Sequence, residues 1–238
     1  HYTDFSSSQA EETLRKINAG MSEAHDFLKG ARFLFVRFGT ARIYRWKENG
    51  RIVSNCHKIP ADKLNREILS VDEIKELWIS TLDQLRNWYP ELKVIFTISP
   101  VRHWKEGAHG NQISKSVLFL AVEELLSHPA VLSYFPAYEL LMDDLRDYRF
   151  YDDDMLHPSS SAVSYIWEKF SALFFDSPVL RIWSEAARIT RAMAHRTLGG
   201  KRETTPFAAA MLERIRDLKS KAPFVDLTAE EKYFRELM

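Results

Sequence analysis

Asp154-Met155-Leu156-His157-Pro158-Ser159 is the segment best suited to chemistry. A carboxylate three residues ahead of an imidazole can fold back onto it within one turn. It then fixes the ring tautomer through one nitrogen and leaves the other free to take a proton from a serine hydroxyl. The segment lies between a predicted strand and a predicted helix. In an α/β sheet that junction is at the carboxyl edge, where active sites form. The same residues also read as a capping aspartate and a surface histidine ahead of a helix.

Three further stretches carry suitable groups. Gly39-Thr40 ends a predicted strand, where a glycine lets a ligand approach the backbone and offers its N–H. It reads equally as a plain strand-ending turn. Asn55-Cys56-His57-Lys58 follows a predicted hairpin. The Asn55 amide can donate to a developing oxyanion. Cys56 and His57 are adjacent and point to opposite faces of an extended chain, so they are poorly placed to activate each other. Pro100-Val101-Arg102-His103-Trp104 follows another strand. Arg102 and His103 could bind a polar or anionic group, or Arg102 could neutralise the acidic run Asp152–Asp154. Thr40, His57, Arg102 and His103 are the candidate substrate-binding residues. A metal site built from His57, His103, His109, His157 and Asp154 is a weak alternative, because none of them has tight ligand spacing. No metal and no cofactor is expected, and phosphate-cradling glycine loops are absent from the sequence.

Several elements must position these groups. Ser8-Gln9-Ala10-Glu11 predicts a capped amphipathic helix running to Gly30 with Leu14, Ile17, Met21 and Phe27 on one face. Phe33–Phe38 predicts a buried parallel strand. Ile43–Trp46 and Arg51–Ser54 around Asn49-Gly50 predict a β-hairpin. Ser70-Val71-Asp72-Glu73 predicts a second capping box, with the helix stopped by Pro90. Val94–Ile98 predicts the next buried strand. A loop containing Gly107 and Gly110 and a helix from about Ser114 to Ser127 follow. Tyr134–Asp153 reads as a short strand plus loop. Pro158 suits a first helical turn, with that helix running to Phe175. Residues 180–194 and 207–221 predict helices separated by a polar break over 199–206. The alternation of strands and helices predicts a three-layer α/β/α open parallel sheet. Residues 1–176 would form this core, and 177–238 a helical C-terminal extension packed on it.

Composition narrows the function classes. Lysine and arginine total 33, as do aspartate and glutamate, so formal net charge is zero. Nucleic acid is therefore not an expected partner. No apolar run reaches the roughly 18–20 residues of a membrane span. One cysteine excludes an internal disulfide framework, and the cytoplasm is favoured without being fixed.

The motifs in this order resemble the GSCFA family, whose fold is related to the SGNH (GDSL-like) hydrolases. The matching stretches are Phe38-Gly39-Thr40-Ala41, Asn55-Cys56-His57-Lys58-Ile59-Pro60, Ser99-Pro100-Val101-Arg102-His103 and Gly110-Asn111-Gln112-Ile113-Ser114-Lys115. Leu145–Tyr151 running into Asp154–Pro158, and the late Ala194-His195-Arg196, complete the set. The resemblance implies the α/β/α fold and serine-esterase chemistry on an acyl ester of a carbohydrate or lipid-like substrate. Acyl transfer and a non-catalytic binding module are the alternatives. It implies Asp154 and His157 as carboxylate and base, with Gly39 and Asn55 as oxyanion donors. The expected partner is a small-molecule or glycan acyl ester, and the oligomeric state is left open. One departure matters. No Gly-Ser dipeptide occurs in the sequence, and the usual Gly-x-Asn-Asp block is replaced by Gly39-Thr40-Ala41. The first strand and its nucleophilic serine are expected before residue 1, and the chain by itself is expected to show little esterase activity.

Overall fold

The computed structural model describes residues 5–53, 59–193 and 201–238. The described chain is mixed α/β. It forms α1 (Ala10–Gly30), β1 (Phe33–Phe38), β2 (Arg42–Trp46), β3 (Ile52–Val53), β4 (Leu64–Ile68), α2 (Val71–Trp88), β5 (Lys93–Ile98), α3 (Gly107–Leu125) and β6 (Val131–Phe135). Then come α4 (Ser160–Phe174), α5 (Ser177–Met193), α6 (Lys201–Lys221) and α7 (Thr228–Glu236). The chain divides into two compact units, His1–Ile166 and Trp167–Met238. Among the described residues no helix is long and apolar enough to cross a membrane.

In the first unit β1, β5 and β6 form a parallel sheet with β5 in the middle. Alternation along each strand sends Leu34, Val36 and Phe38 of β1 and Val94, Phe96 and Ile98 of β5 to the same face. That face joins Ile74 and Leu82 of α2 and Leu118, Ala121, Val122 and Leu125 of α3 in one core. Phe38, Trp78 and Phe96 pack at centroid separations of 5.2–5.4 Å. The Ser70–Glu73 capping box forms at the start of α2 as expected. The second sheet is antiparallel, in the order β3-β2-β4. Its hairpin turns at Gly50, where φ is +72°. The expected hairpin is therefore present. The third strand, β4, was not expected from Leu64-Asn65-Arg66-Glu67-Ile68 because its short, mixed pattern has no strong alternation.

Several expectations need correction. β1 is not buried on both faces, since Phe33 and Phe35 are 53% and 47% exposed. α1 forms over the expected span, yet none of its residues is buried. Its predicted capping box is absent: Gln9 occupies the N-cap position, and Ser7 Oγ instead donates to Glu12. α3 begins at Gly107, so the supposed loop through Gly110 is helical. β6 starts at Val131, and the predicted loop after Tyr134 is largely helical. A turn at Ala137–Glu139 continues as the π-helical segment Leu140–Leu145. Leu141 and Leu145, four residues apart, bury with Ala162 and hold that segment. Pro158 precedes α4 and pairs with Tyr151 in an isolated antiparallel bridge. α6 starts at Lys201 and accommodates Pro206, so helix replaces part of the expected polar break.

The second unit has its own core of Ile189, Ala208, Ile215, Leu218, Ala222, Leu227 and Phe234. Glu185 accepts two hydrogen bonds from Arg214, at 2.6 and 3.0 Å, tying α5 to α6.

Candidate active site

β1 and β5 run side by side in register and end at Phe38 and Ile98. Gly39 and Ser99 therefore follow at the same edge of the sheet, and the Ser99 N–H donates to Phe38 O at 2.8 Å. The first turns of α3 supply polar side chains to this edge. Lys115 is only 1% exposed, and its Nζ donates to Gly39 O and Ser99 O, both at 2.7 Å. The same ammonium lies 5.6 Å from the centroid of the Tyr138 ring, whose hydroxyl donates to Gln112 Oε1. Burial, assisted by the Arg37 charge, pushes the Lys115 pKa down to about 8. Ser114 Oγ accepts from the Ala41 N–H at 2.8 Å and shares a hydrogen bond with Thr40 Oγ1 at 2.8 Å. Asn111 Oδ1 accepts from the His103 N–H at 3.0 Å.

This arrangement explains the glycine at 39. A Cβ there would lie 3.2 Å from His103 Nε2, so the imidazole approaches the backbone where a side chain would stand. Burial first, and then the charges of Lys115 and Arg66, hold the His103 pKa below its ordinary value.

The Asp154–His157 loop is constructed differently. The Asp152 N–H donates to His157 O and the Ser159 N–H to Phe150 O, both at 2.8 Å, closing the loop around Tyr151 and Pro158. Met155 takes the left-handed conformation, φ +57°, at its tip. Asp154 Oδ1 accepts from the N–H groups of Leu156 and His157 at 2.8 Å, and Oδ2 lies 2.5 Å from His157 Nδ1. One carboxylate thus caps the turn with one oxygen and orients the imidazole with the other. The carboxylate–imidazole approach expected from the spacing is present, and the capping falls on this turn and not at the start of α4. These hydrogen bonds hold the Asp154 pKa down to about 2. The imidazole side chain is 60% exposed, and no described group hydrogen-bonds its Nε2.

Arg102 links the two places. Its guanidinium lies 5.0 Å from the Tyr151 ring centroid and donates to Tyr151 Oη at 3.2 Å. It follows β5, while Tyr151 forms the bridge with Pro158 beside His157. Arg102 thereby meets the dyad's loop through an aromatic ring. Among the described residues no ion pair joins it to Asp152, Asp153 or Asp154.

The structure thus brings Gly39, Thr40 and His103 together at the sheet edge, with Arg102 reaching from that edge to the Asp154–His157 loop. Asn55 and His57, with Cys56, lie outside the described residues. So do Ala194, His195 and Arg196. Lys115, Ser114, Asn111 and Tyr151 were not singled out for any role in the sequence. A signal was present for three of them. Positions 111, 114 and 115 extend the apolar stripe 118, 121, 122 and 125 of α3, so these polar side chains had to face the interior. Among the described residues no cluster of three acidic, histidine or cysteine side chains could hold a metal ion.

Comparison with known proteins agrees with the motif reading. The model of the GSCFA family matches residues 1–170. The chain belongs to that family. No curated protein matches the chain.

Proposed function

We propose that this GSCFA-family chain carries most of the active centre of an SGNH-type serine ester hydrolase, with the sheet and its helices arranged in three layers. The observation that carries the reading is the 2.5 Å contact between Asp154 Oδ2 and His157 Nδ1, on a loop tied to the end of β5 through Tyr151 and Arg102. In this proposal a serine preceding His1 attacks the carbonyl carbon of an acyl ester. His157 Nε2 takes the serine proton, and the Asp154 carboxylate stabilises the imidazolium. The Gly39 N–H and the Asn55 amide donate to the oxyanion. The imidazolium then returns its proton to the leaving alkoxide. Water, or an acceptor hydroxyl, releases the acyl group from the serine by the same steps in reverse. Lys115 contributes by holding the Gly39 and Ser99 carbonyls, which fixes the peptide units around the proposed oxyanion donor.

The test is made on the longest natural form of the protein. A fluorophosphonate probe should label it on one serine, and it should turn over small aryl esters. His157→Ala is expected to abolish both at unchanged thermal midpoint. Labelling and turnover that survive this substitution would defeat the assignment.

A further inference from the structure

We propose that Arg42, Arg66 and Lys105 form an anion-binding subsite beside Gly39 and His103, so that the ester acted on carries a carboxylate or phosphate group. The ester part rests on the function proposed above; the anion subsite does not.

The small antiparallel sheet supplies the scaffold. Tyr44 of β2 stands opposite Arg66 of β4, and Arg42 lies two residues from Tyr44 on the same face. The Arg66 guanidinium lies 5.6 Å from the Tyr44 ring centroid, and Lys105 Nζ lies 5.4 Å from it. Lys105 also donates to Tyr44 Oη at 3.1 Å. One aromatic ring thus holds two cations near each other. Among the described residues Glu106 is the one carboxylate paired with this group. Arg66 meets both of its oxygens, Nη1 ion-pairing with Oε1 and Nη2 donating to Oε2 at 2.9 Å, and Arg42 Nε lies 3.5 Å away without hydrogen-bond alignment. Three cations therefore face one acid, an excess of two positive charges.

The two arginine side chains are only 20% and 21% exposed. Arg42 Nε and Arg66 Nε are buried and have no hydrogen-bond partner. Glu106 is engaged mainly by Arg66, so the positive charges of Arg42 and Lys105 are left largely unbalanced, at a cost that an anion would offset. The placement of Glu106 is itself constrained. A Cβ at position 110 would come within 2.4 Å of Glu106 Cβ, so the glycine there lets the acid lie against α3. The subsite adjoins the sheet edge: Arg42 N–H donates to Thr40 Oγ1 at 3.1 Å, and the Arg66 charge acts on His103, which crowds Gly39.

Calorimetric titration of the 238-residue chain with inorganic phosphate and, separately, with succinate tests this without requiring turnover. Binding of at least one anion is expected, weakening as sodium chloride is raised. Arg66→Gln should weaken it roughly tenfold. Lys105→Gln alters an exposed side chain, so it should fold normally and weaken binding by a smaller factor. Phosphate binding without succinate binding identifies a phosphorylated ester, and the reverse a carboxylated one. Binding of neither anion, or binding that folded Lys105→Gln and Arg66→Gln leave unchanged, overturns the proposal. Anion binding lost in these variants, together with no esterase activity in the longest natural form, would uphold the subsite and defeat the ester reading. Ester turnover with no anion binding would do the opposite.

Discussion

The loop carrying Asp154 and His157 closes on itself. Its defining hydrogen bonds join residues no more than nine positions apart, and its imidazole is open to solvent. The cradle around Lys115 is the reverse. Its ammonium reaches carbonyls 76 and 16 positions away, just past the ends of two neighbouring strands, and the lysine itself is buried. Changes to the loop's side chains should cost the fold little, because these groups are already largely solvated. The cradle cannot lose its cation without leaving the buried Ser99 carbonyl and the half-buried Gly39 carbonyl short of a donor. Under the proposed function, such a division would keep the base accessible while the backbone beside it stays rigid.

The largest expected effect lies on the loop and concerns activity. Asp154→Asn keeps the side chain's shape and removes its charge, so His157 loses both its tautomer control and its counter-ion. Ester turnover by the longest natural form should fall by about 10⁴, while the thermal midpoint at neutral pH falls only modestly, because solvent screens the hydrogen bonds of an exposed carboxylate. A large drop in midpoint would show that the loop is a structural element, and the contrast with the cradle would fail.

Next is Lys115→Met. The apolar chain fills similar space but donates nothing, leaving Gly39 O and Ser99 O without their partner. A buried acceptor left unsatisfied costs about 1–3 kcal/mol, and a half-buried one less, so denaturant unfolding should show a loss of about 1–4 kcal/mol. A loss under about 0.5 kcal/mol, the range of ordinary surface substitutions, would mean that water replaces the ammonium and the cradle is not closed.

The same contrast decides what could be read from sequence. Asp154 and His157 were legible because a three-residue spacing is a local fact. Likewise Ser70 with Glu73 and the Asn49-Gly50 turn each settle their geometry within a few residues, and each formed as expected. Lys115 was visible as part of a motif but not as a buried cation, since its partners are brought near only when β1 and β5 pair. The π-helical stretch Leu140–Leu145 was missed because its acidic and aromatic neighbours obscured the Leu141–Leu145 repeat. Leu14, Met21 and Phe27 illustrate the opposite error. Their spacing correctly predicted a helix, but periodicity identifies an apolar stripe without establishing that anything covers it.

The smallest effects are in pH dependence, where both regions should make stability rise with pH, the loop in acid and the cradle in alkali. Lys115 has a folded pKa of about 8 against an ordinary 10.5. Between those values the native state binds fewer protons than the unfolded chain, so this group makes stability rise with pH. Asp154 has a folded pKa of about 2 against an ordinary 3.8. Its contribution is present above the unfolded value and is lost as pH falls through the folded one. Burial raises the pKa of Tyr134 and Tyr151, and these tyrosines also titrate in alkali. Unfolding curves of the wild type alone would therefore mix signals. Subtracting Lys115→Met removes the tyrosine contributions, and the stability gap between wild type and variant should widen from about pH 8 to about pH 10.5. The gap between wild type and Asp154→Asn should likewise widen as pH rises, here from about 2 to about 4. A gap for Lys115→Met that stays flat through the alkaline range would mean that the ammonium titrates as it would in water. The cradle would then be as open as the loop, and the division of the site into a rigid interior and an accessible base would not hold.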